Sequence, residues 1–130
     1  MQLNPTFLLI EDNLIDQLVI RQLFKKILSV NNLHVANNGR EGIEWLHVNQ
    51  NNFESLIIIL DIQMPVMNGF EFLNAFEKLY GNEMKDIEIY VLSSTLDAKD
   101  ISQVKESRHV TGFLGKPFPI EEFRKKIPGS

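Results

Sequence analysis

The chain has 130 residues, contains no cysteine and carries a net charge of −4 from 13 basic and 17 acidic residues. This length predicts a single domain over residues 1–130, with a core over about residues 6–127. The lack of cysteine excludes disulfides and thiolate metal sites, and the acidic balance argues against nonspecific binding to nucleic acid. The longest apolar run, Leu56 to Leu60, is too short to span a membrane. Without a signal-peptide pattern at the N-terminus, we expect a cytosolic protein.

The first half of the chain alternates predicted strands and helices. The apolar run Phe7–Ile10 predicts a strand, and Ile20, Leu23, Phe24 and Ile27 mark one face of a helix. Runs of this kind, without polar alternation, are typical of parallel strands that are buried on both faces. The predicted elements are a strand at Phe7–Ile10, a helix at Leu14–Ser29, a strand at Leu33–Ala36 and a helix from Gly39 to about His47.

The second half repeats the alternation. Asn68 is a predicted helix N-cap, and Pro119 marks the start of a short last helix. The predicted elements are strands at Leu56–Leu60, Ile89–Leu92 and Gly112–Leu114, and helices at about Asn68–Leu79, Ala98–Glu106 and Pro119–Ile127. Strict alternation of five strands with five helices predicts an α/β fold, a doubly wound parallel sheet in a three-layer sandwich.

Polar residues follow all five predicted strands. Glu11 and Asp12 follow the first, Asp61 the third, Ser93 the fourth and Lys116 the fifth, whereas the second offers only Asn37 and Asn38. The carboxyl ends of parallel strands meet at one edge of a sheet, which is where functional groups of open α/β sheets gather. We therefore expect these side chains to converge.

Three carboxylates at one edge repel each other unless a cation compensates them. Oxygen ligands with open positions suit Mg²⁺. Three carboxylates, one Mg²⁺ and Lys116 sum to zero charge, so the site can accept the added negative charge of a phosphoryl group. Each residue alone also has a structural interpretation: Asp61 as a turn residue, Glu11 and Asp12 as helix-capping acids.

With these residues the chain resembles the receiver domain of two-component response regulators, the CheY-like family, from about Thr6 to Ile127. The motifs that carry the resemblance are Phe7–Asn13, Leu60–Pro65, Met67–Gly69, Val91–Ser94 and Phe113–Phe118. The resemblance implies a flavodoxin-like sandwich with strand order 2-1-3-4-5. It also implies a stand-alone phosphoacceptor signalling switch that catalyses only its own phosphorylation and dephosphorylation.

The family implies a role for each matching residue. Asp61 would accept the phosphoryl group from a phosphohistidine on a histidine kinase or a histidine phosphotransfer protein. Asp12, Asp61 and the backbone carbonyl of Gln63 would ligate Mg²⁺, and Glu11 would hold a metal-bound water. Ser93 and Lys116 would bind phosphoryl oxygens, and Phe113 would be the aromatic switch that swings inward. A Lys116-Pro117 cis peptide is also implied.

The resemblance further implies an output through the surface of the fourth helix, fifth strand and fifth helix, which would bind a protein target. The chain departs from the commonest pattern at Glu11, where Asp is usual, and at Ser93, where Thr is usual. Gln63 and Thr95 occupy the positions at which the family tunes dephosphorylation. The fifth helix is short for the family, so we expect a monomer or a weak dimer.

Other functions compete with this one. A dehalogenase-like phosphatase would need a second Asp where Gln63 stands, as general acid. A flavodoxin-like cofactor binder would need an uncharged phosphate loop in place of Glu11 and Asp12. A degenerate receiver, which binds partners without phosphorylation, usually lacks one of the acids or the lysine. His34, His47 and His109 are expected to be solvated or capping residues.

Overall fold

The structure is a computed structural model that describes residues 5–64, 66–81, 86–95 and 97–127. Pro65, which belongs to one of the quoted motifs, and residues 1–4, 82–85, 96 and 128–130 of the predicted domain lie outside these ranges. The elements in chain order are β1 (Thr6–Ile10), α1 (Leu14–Ile27), β2 (His34–Ala36), α2 (Gly39–Asn49), β3 (Leu56–Asp61), α3 (Gly69–Tyr80), β4 (Ile87–Ser93), α4 (Ala98–Val104), β5 (Val110–Gly115) and α5 (Ile120–Lys126).

The five strands form one parallel sheet in the order β2-β1-β3-β4-β5, as predicted. The register pairs Ile10 with Leu60, and Asp61 with Leu92. The carboxyl ends of β1, β3 and β4 are therefore level. Among the helices of the described ranges, none has the length and apolar character needed to cross a bilayer.

The sheet separates two apolar cores, which explains why its strands are apolar without alternation. Leu8 and Ile10 of β1 face the core under α2 and α3, whereas Phe7 and Leu9 face the core under α1 and α5. All six residues of β3 are buried, because this central strand has helices on both sides.

Several element boundaries differ from the sequence predictions. β4 begins at Ile87 rather than Ile89, and β5 runs over Val110–Gly115 rather than only its central residues. α1 ends at Ile27 rather than Ser29, because Ser29 adopts a positive φ of 58° and the Val30 N–H bonds back to the Phe24 carbonyl at 3.0 Å. α4 ends at Val104, two residues early, and Val104 is its only buried residue.

The predicted N-cap at Asn68 is confirmed. Its side chain accepts a hydrogen bond from the Glu71 backbone, and the Glu71 side chain accepts one from the Asn68 backbone, both at 3.0 Å. This capping box satisfies two backbone donors at the helix start. It also fixes the point at which the chain enters α3 after the loop that follows Asp61.

The loop between α4 and β5 is fastened to the last turn of α3. Glu77 Oε1 accepts a hydrogen bond from the Ser107 hydroxyl at 3.0 Å and lies 2.9 Å from Nδ1 of His109. Arg108 donates to the Gly81 carbonyl at 2.9 Å. The His109 side chain is only 10% exposed, so the expectation of a solvated or capping histidine is wrong there. The His109 ring is held instead by the Glu77 carboxylate of α3 and by the Phe76 ring, whose centroid lies 5.0 Å from that of His109.

Candidate functional site

The residues predicted from the strand ends lie at one edge of the sheet. Glu11 and Asp12 follow β1, Asp61 is the last residue of β3, and Ser93 is the last of β4. Carboxylate oxygens of Glu11, Asp12 and Asp61 all lie within 4.8 Å of one another. The predicted convergence of the three acids is therefore present in the structure.

Lys116, which follows β5, reaches into this group of acids. Its Nζ lies 3.1 Å from Glu11 Oε1 and 3.4 Å from Asp61 Oδ2. The ammonium is therefore a shared counter-ion of two carboxylates, one just after β1 and one at the end of β3. The Lys116–Pro117 peptide is cis, as the resemblance implied.

Lys116 also contacts Asp16, which the sequence reasoning missed. Asp16 Oδ2 lies 3.3 Å from Nζ, and the side chain of Asp16 is 42% exposed. Asp16 lies in the first turn of α1. Its backbone N–H donates a hydrogen bond to the side-chain oxygen of Asn13, the N-cap, at 2.9 Å. Its position one helical turn after Asp12 was the available signal, because the first turn of α1 begins at the same edge of the sheet.

Glu11 and Asp61 are buried, whereas Asp12 is exposed. Burial raises the pKa of Glu11 to about 7, opposed by the hydrogen bond from the Asn13 N–H and assisted by the Asp61 carboxylate. For Lys116, burial lowers the pKa, but the carboxylates of Asp61, Glu11 and Asp16 outweigh it and raise the pKa above its ordinary value. The site thus keeps Lys116 charged, whereas the negative charge of the buried Glu11 carboxylate is poorly compensated.

The acids fit a divalent cation. Glu11 Oε1 is buried without a hydrogen-bond partner, and its contact with Lys116 lacks hydrogen-bond geometry. A buried carboxylate oxygen of this kind is costly unless a charge or donor satisfies it. Three carboxylates with one open, solvent-facing member are a donor set that suits Mg²⁺, which keeps several water ligands.

Ser93 is buried, and both hydrogen bonds of its hydroxyl go to Thr95. The hydroxyl donates to the Thr95 carbonyl at 2.9 Å and accepts from the Thr95 N–H at 3.2 Å. The Lys116 N–H donates to the Ser93 carbonyl at 3.0 Å, which joins the ends of β4 and β5. Ser93 therefore lies at the same edge of the sheet as the acids, but its hydroxyl is bonded to its own loop.

Gln63 and Thr95 contact each other across the rim of the site. Gln63 Nε2 donates to the Thr95 hydroxyl at 3.4 Å, and Gln63 Oε1 accepts from the Ser94 hydroxyl at 3.3 Å. The Gln63 N–H donates to Asp61 Oδ1 at 3.0 Å, which orients the carboxylate. Phe113 lies farther along β5, paired with Val91, and is half-buried against the core under α3.

Two glycines hold the loop after Asp61 in place. The Gly69 N–H donates to the Ile62 carbonyl at 3.2 Å, and a Cβ on Gly69 would come within 2.6 Å of Ile62 Cα. The Gly39 N–H donates to the Met67 carbonyl at 3.1 Å, where a Cβ would clash at 2.5 Å. These close approaches require glycine. The first residues of α2 and α3 are thereby hydrogen-bonded to the loop that follows Asp61.

Known proteins resemble this chain in sequence and in fold. The sequence model of the response regulator receiver domain matches residues 7–128. A receiver protein from Dyadobacter fermentans has 27% identity and a TM-score of 0.83, covering 95% of this chain and 94% of that one. A two-component response regulator from Legionella pneumophila has 31% identity and a TM-score of 0.77, covering 94% of each chain.

A curated relative, the hybrid signal transduction histidine kinase A of Dictyostelium discoideum, is 32% identical over 121 residues. This match covers 92% of the chain but only 5% of that kinase. The similarity therefore concerns one domain of a much longer protein.

Proposed function

Because this chain belongs to the response regulator receiver family, we propose that it is a phosphoryl-accepting signalling switch with Asp61 as the acceptor. The observation that carries the proposal is the position of the Asp61 carboxylate, which ends the central strand between two further acids and the Lys116 ammonium. A lone turn aspartate would not need such neighbours.

The chemistry is an in-line phosphoryl transfer. A carboxylate oxygen of Asp61 attacks phosphorus, an O–P bond forms, and the N–P bond of a phosphohistidine donor breaks, with imidazole as the leaving group. Lys116 neutralises charge on the transferred oxygens, and the Gln63 N–H keeps the Asp61 carboxylate oriented. Mg²⁺, held by Asp12, Asp61 and the Gln63 carbonyl with Glu11 behind them, would add charge neutralisation.

The surface beside the site supports a protein donor, a histidine kinase or a histidine phosphotransfer protein. Four apolar residues of the first turns of α1 are exposed: Leu14 at 73%, Ile15 at 73%, Leu18 at 60% and Val19 at 47%. They flank Asp16 on the helix that begins at the site. An apolar patch of this kind favours association with another protein surface over capture of a small metabolite.

Phosphorylation would act through Ser93 and Phe113. The new group adds negative charge and acceptor oxygens next to the Ser93 hydroxyl. If Ser93 turns toward it, the hydroxyl leaves Thr95, and the half-buried Phe113 can pack inward. The two arrangements are populations of one equilibrium, which phosphorylation shifts at the α4, β5 and α5 surface that binds a protein target.

Gln63 and Thr95 would tune the lifetime of the phosphorylated form. Their side chains are joined by a hydrogen bond at 3.4 Å, and both carry groups that can orient or exclude an attacking water. Catalysis in this proposal is limited to the chain's own phosphorylation and dephosphorylation. The protein acts as a monomer or a weak dimer.

The first test is phosphate uptake from acetyl phosphate. We expect acid-labile phosphate on the protein in the presence of Mg²⁺ and its loss on adding a chelator, because three carboxylates repel the donor unless a cation compensates them. Intact-mass measurement before and after acid treatment reports the modification. Restoring Mg²⁺ should restore uptake, and a chain that never takes up phosphate would contradict the proposal.

The second test concerns the switch. Beryllofluoride with Mg²⁺ should shift the amide resonances of Ser93, Phe113 and α4, because the hydroxyl must leave Thr95 to bind the anion. Two-dimensional NMR of the labelled protein measures this. If the response stays confined to Glu11, Asp12 and Asp61, the site binds the anion but does not drive a switch.

A further inference from the structure

Lys116 is shared among three carboxylates, and only one of them is accessible to water. Its Nζ contacts Glu11, Asp61 and Asp16 at 3.1, 3.4 and 3.3 Å. The side chains of Glu11 and Asp61 are 0% and 2% exposed, whereas that of Asp16 is 42% exposed. Nζ donates hydrogen bonds to Asp61 and Asp16, and its contact with Glu11 is an ion pair without hydrogen-bond geometry, so three negative charges lie against one ammonium.

A phosphoryl oxygen that binds Lys116 approaches an ammonium already in contact with three carboxylates, so it competes with them for the charge of the lysine. Withdrawing the ammonium from Glu11 leaves a buried charge uncompensated, which is strongly unfavourable. Withdrawing it from Asp16 leaves a half-exposed carboxylate that water solvates at once. The lowest-cost exchange is therefore the loss of the contact with Asp16.

The charge balance points the same way. With Asp16, the site has four carboxylates, those of Glu11, Asp12, Asp61 and Asp16, so Lys116 and one Mg²⁺ leave a net charge of −1 rather than zero. This extra negative charge opposes a phosphoryl anion in two ways. It repels the anion directly, and it holds the lysine on the α1 side of the site.

We propose that Asp16 is a positioning residue that competes with the phosphoryl group for Lys116 and thereby lowers the affinity of the site for a phosphoryl anion. This inference rests on the proposed function, because it assumes that Lys116 binds phosphoryl oxygens. Asp16 does not touch the transferred group. It acts through the lysine and sets the balance between the unphosphorylated and phosphorylated forms.

The test is a calorimetric titration of the Mg²⁺-loaded protein with beryllofluoride. Asp16→Asn keeps the size of the side chain and removes its charge, so we expect affinity to rise about threefold to tenfold at low salt. Asp16→Glu keeps the charge and should stay near the wild type. Glu54→Gln removes an equal charge from an exposed residue just before β3, at the opposite edge of the sheet, and should change affinity less than about twofold.

Salt separates the electrostatic effect from a structural one. In 1 M salt, where the Debye length is about 3 Å, the difference in beryllofluoride affinity between the wild type and Asp16→Asn should become markedly smaller. Thermal melting of each variant verifies folding, and Asp16→Ser serves as a second charge-removing variant if Asp16→Asn does not fold.

An affinity that is unchanged or reduced in Asp16→Asn would overturn the inference, as would an affinity difference that persists in full at 1 M salt. A rise of the same size in Asp16→Glu would overturn it too. If the wild type itself does not bind beryllofluoride, the proposed function fails and not the role of Asp16. The two failures are therefore distinguishable.

Discussion

Asp61→Asn is expected to abolish phosphate uptake from acetyl phosphate, a loss of at least about a thousandfold. The amide is nearly isosteric, and its oxygen can still accept the Gln63 N–H that orients Asp61. It has no anionic oxygen to attack phosphorus, so the transfer cannot begin. Intact-mass measurement over a time course with Mg²⁺ gives the rate.

The variant should fold at least as well as the wild type. It removes one of three mutually repelling carboxylates, two of which are buried. Asp12→Asn is the matched control: it removes the exposed carboxylate of the cluster, so uptake should need more Mg²⁺ but still occur. Undiminished uptake in Asp61→Asn would show that another residue is the acceptor.

Lys116→Met is expected to slow phosphate uptake by about a hundredfold, the usual effect of removing one charge-stabilising donor. Lys116 is the cation that the described residues place within salt-bridge distance of Glu11 and Asp61. Without it, two buried carboxylates face each other and the incoming phosphoryl oxygens have no ammonium. The rate with acetyl phosphate at saturating Mg²⁺ reports the loss.

Lys26→Met is the matched control for this prediction. Lys26 is exposed in the last turn of α1, at the far end of the helix from the site, so uptake should remain at the wild-type rate. Beryllofluoride binding should weaken in Lys116→Met alone. Equal rates for both variants would rule out a phosphoryl-binding role for Lys116.

The strands were predictable where they are buried on both faces, because such strands are continuous apolar runs in the sequence, as in β1 and β3. The first residues of β4 and β5 were missed because Glu88, which is half-buried, and Thr111, which is exposed, interrupt the apolar pattern. α4 was predicted too long, because a helix that buries only Val104 has little apolar periodicity to mark its end.

The acids of the site were predictable because strand ends in a parallel sheet meet at one edge, whatever the packing of the helices. Asp16 was not, since its contact with Lys116 depends on how α1 is rotated about its axis and how far the lysine extends. The bond of the Ser93 hydroxyl to Thr95 depends on loop dihedrals that no sequence pattern specifies. Tertiary packing decides both.

The fastening of the α4–β5 loop to Glu77 and Gly81 has a mechanical consequence for α4. The helix is held at its C-terminal end, where Val104 is buried, Ser107 and His109 contact Glu77 of α3, and Arg108 donates to the carbonyl of Gly81 just after α3. Its first residues, close to Thr95, are exposed. Seven residues at about 1.5 Å each make a lever of roughly 10 Å. Any tilt around the fixed end would therefore displace the first residues of α4 more than the rest of the helix.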